Sequence, residues 1–413
     1  MQARPRRSSI DLFCGAGGLT LGLSVASFST SLGSDFWQPA VRTFEHNFQG
    51  TPFLAADARD LTAQDLLSKA GLDEPPDLVV GGPPCQGFSS AGARTVGDQR
   101  NNLVGVFAHL VAELKPRGFL FENVEGFLTA ADGDFVVALL DPLLEAGYRI
   151  HLRKCNVANF GVPQLRKRVI GLGLLGADPE FPTPTHRAHG APGAHRAGSR
   201  TLPATPSVRE ALAHLPVPAD QPRGEPSDHF TRTLNSDDLA RVRALAQGQT
   251  MRDLPPELHH PSYRRRAFRR VMDGTPTERR GGPPAAVRRL RENEPAKAIT
   301  GAGVRELVHP TEDRLLTLRE CARLQTFPDT FEFLANQSER SILVGNAVPP
   351  MFAAALGLAL LRSLEQPITA TGGLGRLLSF HPTVADAKSP ALHAVEQRIA
   401  HRYHLGRELT LWP

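Results

Sequence analysis

Along the first 175 residues, short apolar runs that end in glycine alternate with longer stretches of helical period. SIDLF (residues 9–13) opens into CGAGGLTLGL, DLVV (77–80) breaks into GGPPCQG, and GFLF (118–121) ends in ENV. Between the last two lies LVGVFAHLVAELKP (103–116), whose apolar positions recur with a helical period. Strands alternating with helices predict an α/β fold: a doubly wound, Rossmann-like parallel sheet. Such sheets bind ligands beyond the carboxyl ends of their strands, and all three unusual segments fall at that edge. Further on, NFGVPQLRKRVIGLGLL (159–175) reads as another strand. On it Gln164, Arg166 and Arg168 alternate, and would share one face.

From about residue 176 the periodicity fades. FPTPTHRAHGAPGAHRAGSRTLPATP (181–206) has the composition of a linker or surface loop. SVREALAHLP (207–216) and SDDLARVRALAQG (236–248) read as short helices, the second started by Ser/Asp and ended by Gly. Residues 259–301 are dense in arginine, with Tyr263 and Phe268 interspersed. That is the electrostatic footprint of a phosphate backbone. MFAAALGLALLRSL (351–364) is an apolar helix, and SPALHAVEQRIAHRYHLGREL (389–409) has an amphipathic pattern that can pack on the main domain. ARPRR (3–7) reads as a loose basic arm. The organisation expected is a catalytic domain of residues 1–175 and 303–362, a smaller recognition domain of 176–302, and an extension of 363–413.

Composition narrows the class without fixing it. The 413 residues are 41% hydrophobic and 22% charged, ordinary for a globular chain of more than one domain. The net charge of +5 hints at a polyanionic partner. No apolar run is expected to cross a bilayer, and the start lacks the apolar core of a signal peptide. The four cysteines form no CxxC pair and no zinc-spaced cluster, which points to a reducing cytoplasm and away from disulfides or structural metal.

The candidate chemistry lies on the three loops. Cys85 follows Pro83 and Pro84, which fix backbone angles and remove two amide donors, so its thiol is displayed on a stiff turn as a nucleophile. Glu122, between Phe121 and Val124, is placed for burial, where a carboxyl can share a proton with a ring nitrogen. Two arginines on one face beside a thiol and a carboxyl suit recognition of an anion or a carbonyl. The glycine loop is neither a phosphate loop nor GxGxxG, but it lets a ligand approach the backbone. Asp35, before Phe36 and Trp37, stands where ribose hydroxyls would be accepted, and Asp57 where an adenine amino group would be.

Together these motifs resemble the DNA cytosine-5 methyltransferases, with a match along most of the chain. DLFCGAGG resembles the family's S-adenosylmethionine loop, PPCQGFS its nucleophile loop, and ENV and QLRKR its two cytosine-recognition elements. RLLTLRECARLQTFPDTF is similar to the segment bracing the recognition domain, and VGNAVPP to the closing cofactor segment. The resemblance implies that Phe13, Gly15, Gly17, Pro84, Leu103, Asn346 and Ala347 line S-adenosylmethionine near its methionine end. By the same resemblance Asp35 holds the ribose, Phe36 stacks on adenine and Asp57 meets its amino edge. It also implies Cys85 as nucleophile, Glu122 at N3 and N4 of the cytosine, Arg168 at O2, and Arg166 by the phosphates and the thiolate. Gln86, Ser89, Gln164, Arg264, Arg265 and Arg266 are the expected DNA contacts.

Two departures stand out: the family usually has glutamate at the position of Asp35, and an apolar strand where this chain has SFSTSLGS. The implied enzyme acts as a monomer on double-stranded DNA in a bacterial cytoplasm. Its partner in function would be a restriction endonuclease that acts on the same DNA site without direct contact with the enzyme. The competing readings are a transfer-RNA cytosine methyltransferase, a silent nucleic-acid binder of the same fold, and a nucleotide-dependent oxidoreductase. The long arginine-dense region and the intact loops favour the DNA enzyme.

Overall fold

The computed structural model describes residues 7–84, 103–187, 201–220, 226–264, 266–270, 276–280, 286–366, 375–382 and 388–405. In the first strand, β1 (Arg7–Leu12), Ile10 and Leu12 join one core while Ser9 and Asp11 are buried on the opposite face. The chain continues through α1 (Gly18–Val25), β2 (Phe28–Ser34), α2 (Gln38–Asn47), β3 (Phe53–Leu54) and α3 (Ala63–Ala70). Thr62 and Asp65 start α3 with reciprocal side-chain caps. Then follow β4 (Leu78–Gly81), α4 (Leu103–Leu114), β5 (Gly118–Val124), α5 (Asp134–Glu145), β6 (Tyr148–Asn156), β7 (Gln164–Leu165) and β8 (Lys167–Leu175).

Between β8 and the closing helices the elements are short. They are α6 (Val208–Leu212), α7 (Ser236–Ala244), α8 (Pro261–Arg264), the antiparallel pair β9 (Arg266–Arg270) and β10 (Pro276–Arg280), β11 (Arg288–Arg289), β12 (Ala296–Lys297), α9 (Gly303–Glu306) and β13 (Leu307–Val308). Helix α7 is capped by Asn235, one residue before the expected start, and ends at Ala244 rather than at the glycine. Val242, Leu245, Met251, Leu254, Tyr263, Val287 and Val308 form a separate small core here. β11 pairs with β13, while β12 pairs with β7, so the returning chain docks on the strand that precedes β8.

Helices α10 (Leu318–Leu324), α11 (Gln337–Asn346) and α12 (Pro350–Leu364) lead to a last strand, β14 (Arg376–His381), and to α13 (Pro390–Arg402). The main sheet has eight strands in the order β14-β6-β8-β5-β4-β1-β2-β3. It is parallel except for β8, which runs antiparallel to both β5 and β6. The expected doubly wound α/β fold is thus present, with one reversed strand in a mostly parallel sheet. The reversal has a plain cause: β6 reaches β8 by a short connection, too short for a crossover helix.

Each sheet face has its own core. Phe119 and Phe121 of β5 face α4 and α5, whereas Leu120, Ile170 and Leu172 face α1 and α12. On α1, a Cβ at Gly22 would lie 2.4 Å from the Ala353 Cβ, so only glycine lets α12 come this close. Gln337–Leu364 is the one stretch among the described residues long and apolar enough to cross a membrane, and most of it is buried in the fold.

The extension is part of this architecture. β14 lengthens the sheet beyond β6, and Val395 and Ile399 of α13 enter the core that Phe119 and Phe121 share. Arg398 bonds Asp134 at 2.7 Å, and Arg402 and Tyr403 hold Asp141 at 2.7 and 2.8 Å. Ile399 is fully buried. Ile399→Ala is therefore expected to lower the unfolding free energy by about 2–4 kcal/mol in urea titrations.

Candidate functional site

The glycine loop leaves β1 through a left-handed kink. Phe13 has φ 56°, Gly15 φ 54° and Gly17 φ 84°, and Phe13 is the one of the three for which that conformation is strained. A Cβ on Gly15 would meet nothing within 4 Å, so open space faces the loop there. Behind it the fit is tight: a Cβ on Gly18 would lie 2.2 Å from the Val348 carbonyl oxygen. The segment Asn346–Val348 is thereby held against the start of α1, with Asn346 exposed and Ala347 buried.

Asp35 follows β2 and binds this loop directly. Its Oδ2 accepts from the Gly15 amide at 3.0 Å and its Oδ1 from the Trp37 amide at 2.9 Å. Burial raises its pKa, and the amides of Trp37, Gly15 and Phe36 oppose that rise. Each oxygen retains a lone pair, so the shorter carboxylate can still accept a hydroxyl. Phe36 is 62% exposed, an aromatic face open to solvent. Asp57 caps the turn 58–60 and is held by Arg59, whose Nε lies 3.0 and 3.1 Å from its two oxygens. That pairing keeps the Asp57 carboxyl below its ordinary range, chiefly through the Arg59 side-chain hydrogen bond. Leu103 begins α4, half-buried against the core. An open space over glycine, an exposed ring and two carboxylates suit an adenosyl group with a charged amino-acid tail.

The second cluster is set by strand register. Glu122 pairs with Ile170 and Val124 with Arg168 across β5 and β8. Residues directly opposite share a face, so Glu122 and Arg168 are diagonal neighbours on the face of Leu120. The Arg168 Nε lies 2.8 Å from Glu122 Oε1. That oxygen receives no directed hydrogen bond, so the contact is ionic. Both side chains are mostly buried. A Cβ on Gly82 would lie 3.1 Å from Glu122 Oε2, which puts the start of the next loop against the carboxyl. Asn123 anchors that loop by donating from Nδ2 to the Pro83 carbonyl at 2.9 Å, and Pro84 is exposed beyond it. Cys85, Gln86, Ser89 and Arg265 lie outside the described residues. Arg264 ends α8 and Arg266 begins β9.

The expected shared face is corrected. Gln164, Arg166 and Arg168 do not share one face of one strand, because the chain breaks at Arg166 between β7 and β8. Gln164 is 0% exposed and Arg166 1%, and both bond interior groups. Neither side chain is open to solvent in this structure. Burial, with Arg168 nearby and Glu122 opposing, lowers the Arg166 pKa to about 9. Part of the arginine-dense region is likewise internal: buried Arg289 donates to the carbonyls of Leu245, Val242, His309 and Glu312 and to Asp313.

Sequence reasoning missed Asp11. It is fully buried, with Oδ2 accepting from the Thr20 amide at 3.2 Å and hydroxyl at 2.7 Å. Its Oδ1 has no hydrogen-bond partner. The available signal was an acidic residue inside an apolar strand, one turn from the glycine loop. Burial raises its pKa to about 7, against the Thr20 hydrogen bonds and with help from Asp35, and the adjacent Cys14 thiol is pushed up as well. A carboxyl that ionises near 4 when unfolded and near 7 when folded binds its proton more tightly in the fold. Its contribution is complete below about pH 4 and is lost as pH rises towards 7. Urea unfolding at pH 5 and pH 8 is expected to show a smaller loss of stability for Asp11→Asn than for the unmodified chain.

The comparisons with known proteins agree with this geometry. The family described as C-5 cytosine-specific DNA methylase matches residues 8–362. Type II methyltransferase M1.HphI of Haemophilus parahaemolyticus is 31% identical over 357 residues, covering 86% of each chain. Type II methyltransferase M.HgiDI of Herpetosiphon aurantiacus is 31% identical, covering 87% of this chain and 96% of its own. A crystal structure of a putative DNA modification methyltransferase encoded within an E. coli prophage has a TM-score of 0.66 at 24% identity, covering 87% of this chain and all of its own. The S. pombe Dnmt2 methyltransferase superimposes with a TM-score of 0.52 at 19% identity, with the same coverage, a likeness of fold alone. The chain belongs to the C-5 cytosine-specific DNA methylase family.

Proposed function

We propose that this protein transfers a methyl group from S-adenosylmethionine to C5 of a cytosine in a specific double-stranded DNA sequence. In this reading it is a type II modification enzyme of a bacterial cytoplasm, acting as a monomer, whose site a restriction endonuclease also recognises. The observation that carries the reading is the Glu122–Arg168 pair, held across β5 and β8 beside Gly82, three residues before Cys85 in the sequence.

Cytosine C5 is a weak nucleophile. Addition of the Cys85 thiolate at C6 makes the ring an enamine-like carbon nucleophile, and splits one hard step into two easier ones. Glu122 meets N3 and N4 and Arg168 meets O2, where negative charge develops on thiolate addition. Once C5 has taken the methyl group, leaving the donor as a neutral thioether, a base removes the C5 proton and elimination frees Cys85. None of these groups reaches C6 in a stacked duplex, so the base is flipped out at a cost of a few kcal/mol. The cofactor supplies an electrophilic sulfonium methyl. Asp35 would hold its ribose, Phe36 would stack on adenine and Asp57 would meet the amino edge, while Phe13, Gly15, Gly17, Pro84, Leu103, Asn346 and Ala347 would line the methionine end.

Methylation-aware sequencing of DNA from cells expressing the protein is expected to reveal 5-methylcytosine in one short word. Cys85→Ser should lower turnover by more than about a thousandfold while S-adenosylhomocysteine still binds. Label from radioactive cofactor appearing in transfer RNA alone, or methylation that persists in Cys85→Ser, would overturn the proposal.

A further inference from the structure

Three buried polar side chains lie behind the pocket and reach neither of its carboxylates by a hydrogen bond. Gln164 and Gln325 are 0% exposed and Arg166 1%. Gln164 donates from Nε2 to the Leu324 carbonyl at 2.9 Å and to Gln325 Oε1 at 2.5 Å. Its own Oε1 accepts from the Ile299 amide at 3.0 Å. Arg166 donates from Nη1 to the Ile299 carbonyl at 2.7 Å and from Nη2 to the Ala347 carbonyl at 3.1 Å. Gln325 donates from Nε2 to the Val344 carbonyl at 2.5 Å and to that of Ala347 at 3.3 Å.

The two segments so gripped have different duties. Ile299 follows β12, the chain returning from the arginine-dense region, and Ala296 of that strand also bonds the Pro163 carbonyl at 2.9 Å. Ala347 belongs to the segment whose next carbonyl, that of Val348, packs on Gly18 behind the glycine loop. The segments also touch directly. A Cβ on Gly345 would fall 2.2 Å from the Thr300 carbonyl carbon, and Ser341 Oγ bonds the Gly301 carbonyl at 2.8 Å. One planar guanidinium thus bridges both, with its Nε unpartnered and its charge met by backbone carbonyls rather than a carboxylate. A group this rigid cannot keep both bonds if Ile299 moves and Ala347 does not.

We propose that Gln164, Arg166 and Gln325 are positioning residues that couple duplex DNA on the β12 side to the cofactor on the glycine-loop side. They touch neither ligand. The inference rests on the function proposed above, because it takes the arginine-dense region as the DNA side and the glycine loop as the cofactor side. By linkage, whatever factor bound cofactor adds to DNA affinity, DNA adds to cofactor affinity.

The test measures duplex binding, with and without saturating S-adenosylhomocysteine, and S-adenosylhomocysteine binding alone by calorimetry. The duplex carries the word found by sequencing. For the unmodified protein S-adenosylhomocysteine should tighten duplex binding by about tenfold or more, within the usual range of coupling. In Arg166→Lys, which keeps the charge but cannot span both carbonyls, and in Gln325→Leu, that factor should fall below about twofold. Each variant is compared only where it still melts cooperatively, and Gln164→Met replaces one that does not. An unchanged factor in the variants overturns the proposal, as does a factor of one in an unmodified protein that binds both ligands. An unmodified protein that binds neither ligand would instead count against the proposed function.

Discussion

The pocket depends on one constraint, the antiparallel entry of β8 beside β5. A parallel neighbour would place its side chains in a different register and bring its amino end, with Arg168, to the opposite edge of the sheet. Because β8 is reversed, its first residues lie beside the last residues of β5, and Arg168 meets Glu122 where both strands reach the ligand edge. An isolated charge there would be strongly disfavoured by burial. A buried pair is weak evidence for stability, since desolvation offsets most of the attraction. Its value lies in geometry: a carboxylate and a guanidinium fixed on one face, at a spacing suited to adjacent polar edges of a pyrimidine.

The rest of the molecule supports that edge from three sides. Asn123 ties the base of the Pro-Pro loop to the end of β5. Asp35 ties the glycine loop to the end of β2, so the carboxylate proposed to hold the ribose also organises the backbone. The close contact of α1 with α12 brings the far end of the chain to the first strand, and Val348 onto Gly18. Beyond β6, β14 and α13 finish the sheet and its core. That part lies past the family match, which ends at residue 362.

Much of this was legible in the sequence, and the exceptions have physical causes. Period-2 and period-3.6 patterns locate strands and helices, and glycine and proline mark where strands end. Strand direction is not encoded in periodicity, so the reversal of β8 escaped notice. The alternation of Gln164, Arg166 and Arg168 suggested one face, but a break in the strand at Arg166 turns it and Gln164 inward. Arginine density signals a polyanion partner only when the guanidiniums face water, and Arg289 satisfies five acceptors inside the protein. Asp11 was passed over because one acidic residue in a strand has no period, although its burial is what makes it unusual. The tail carried no motif, yet an amphipathic pattern was enough to suggest that its helix packs on the domain.

The central claim is that Glu122 and Arg168 act as one unit on the base. A double-mutant cycle on kcat/KM, with Glu122→Gln, Arg168→Lys and both together, tests it most directly. Residues that work as a unit are grossly non-additive. The account predicts a loss of about a hundredfold or more for each single change, and a double variant little worse than the poorer single. Losses that multiply in the double variant would show two independent side chains and contradict the account.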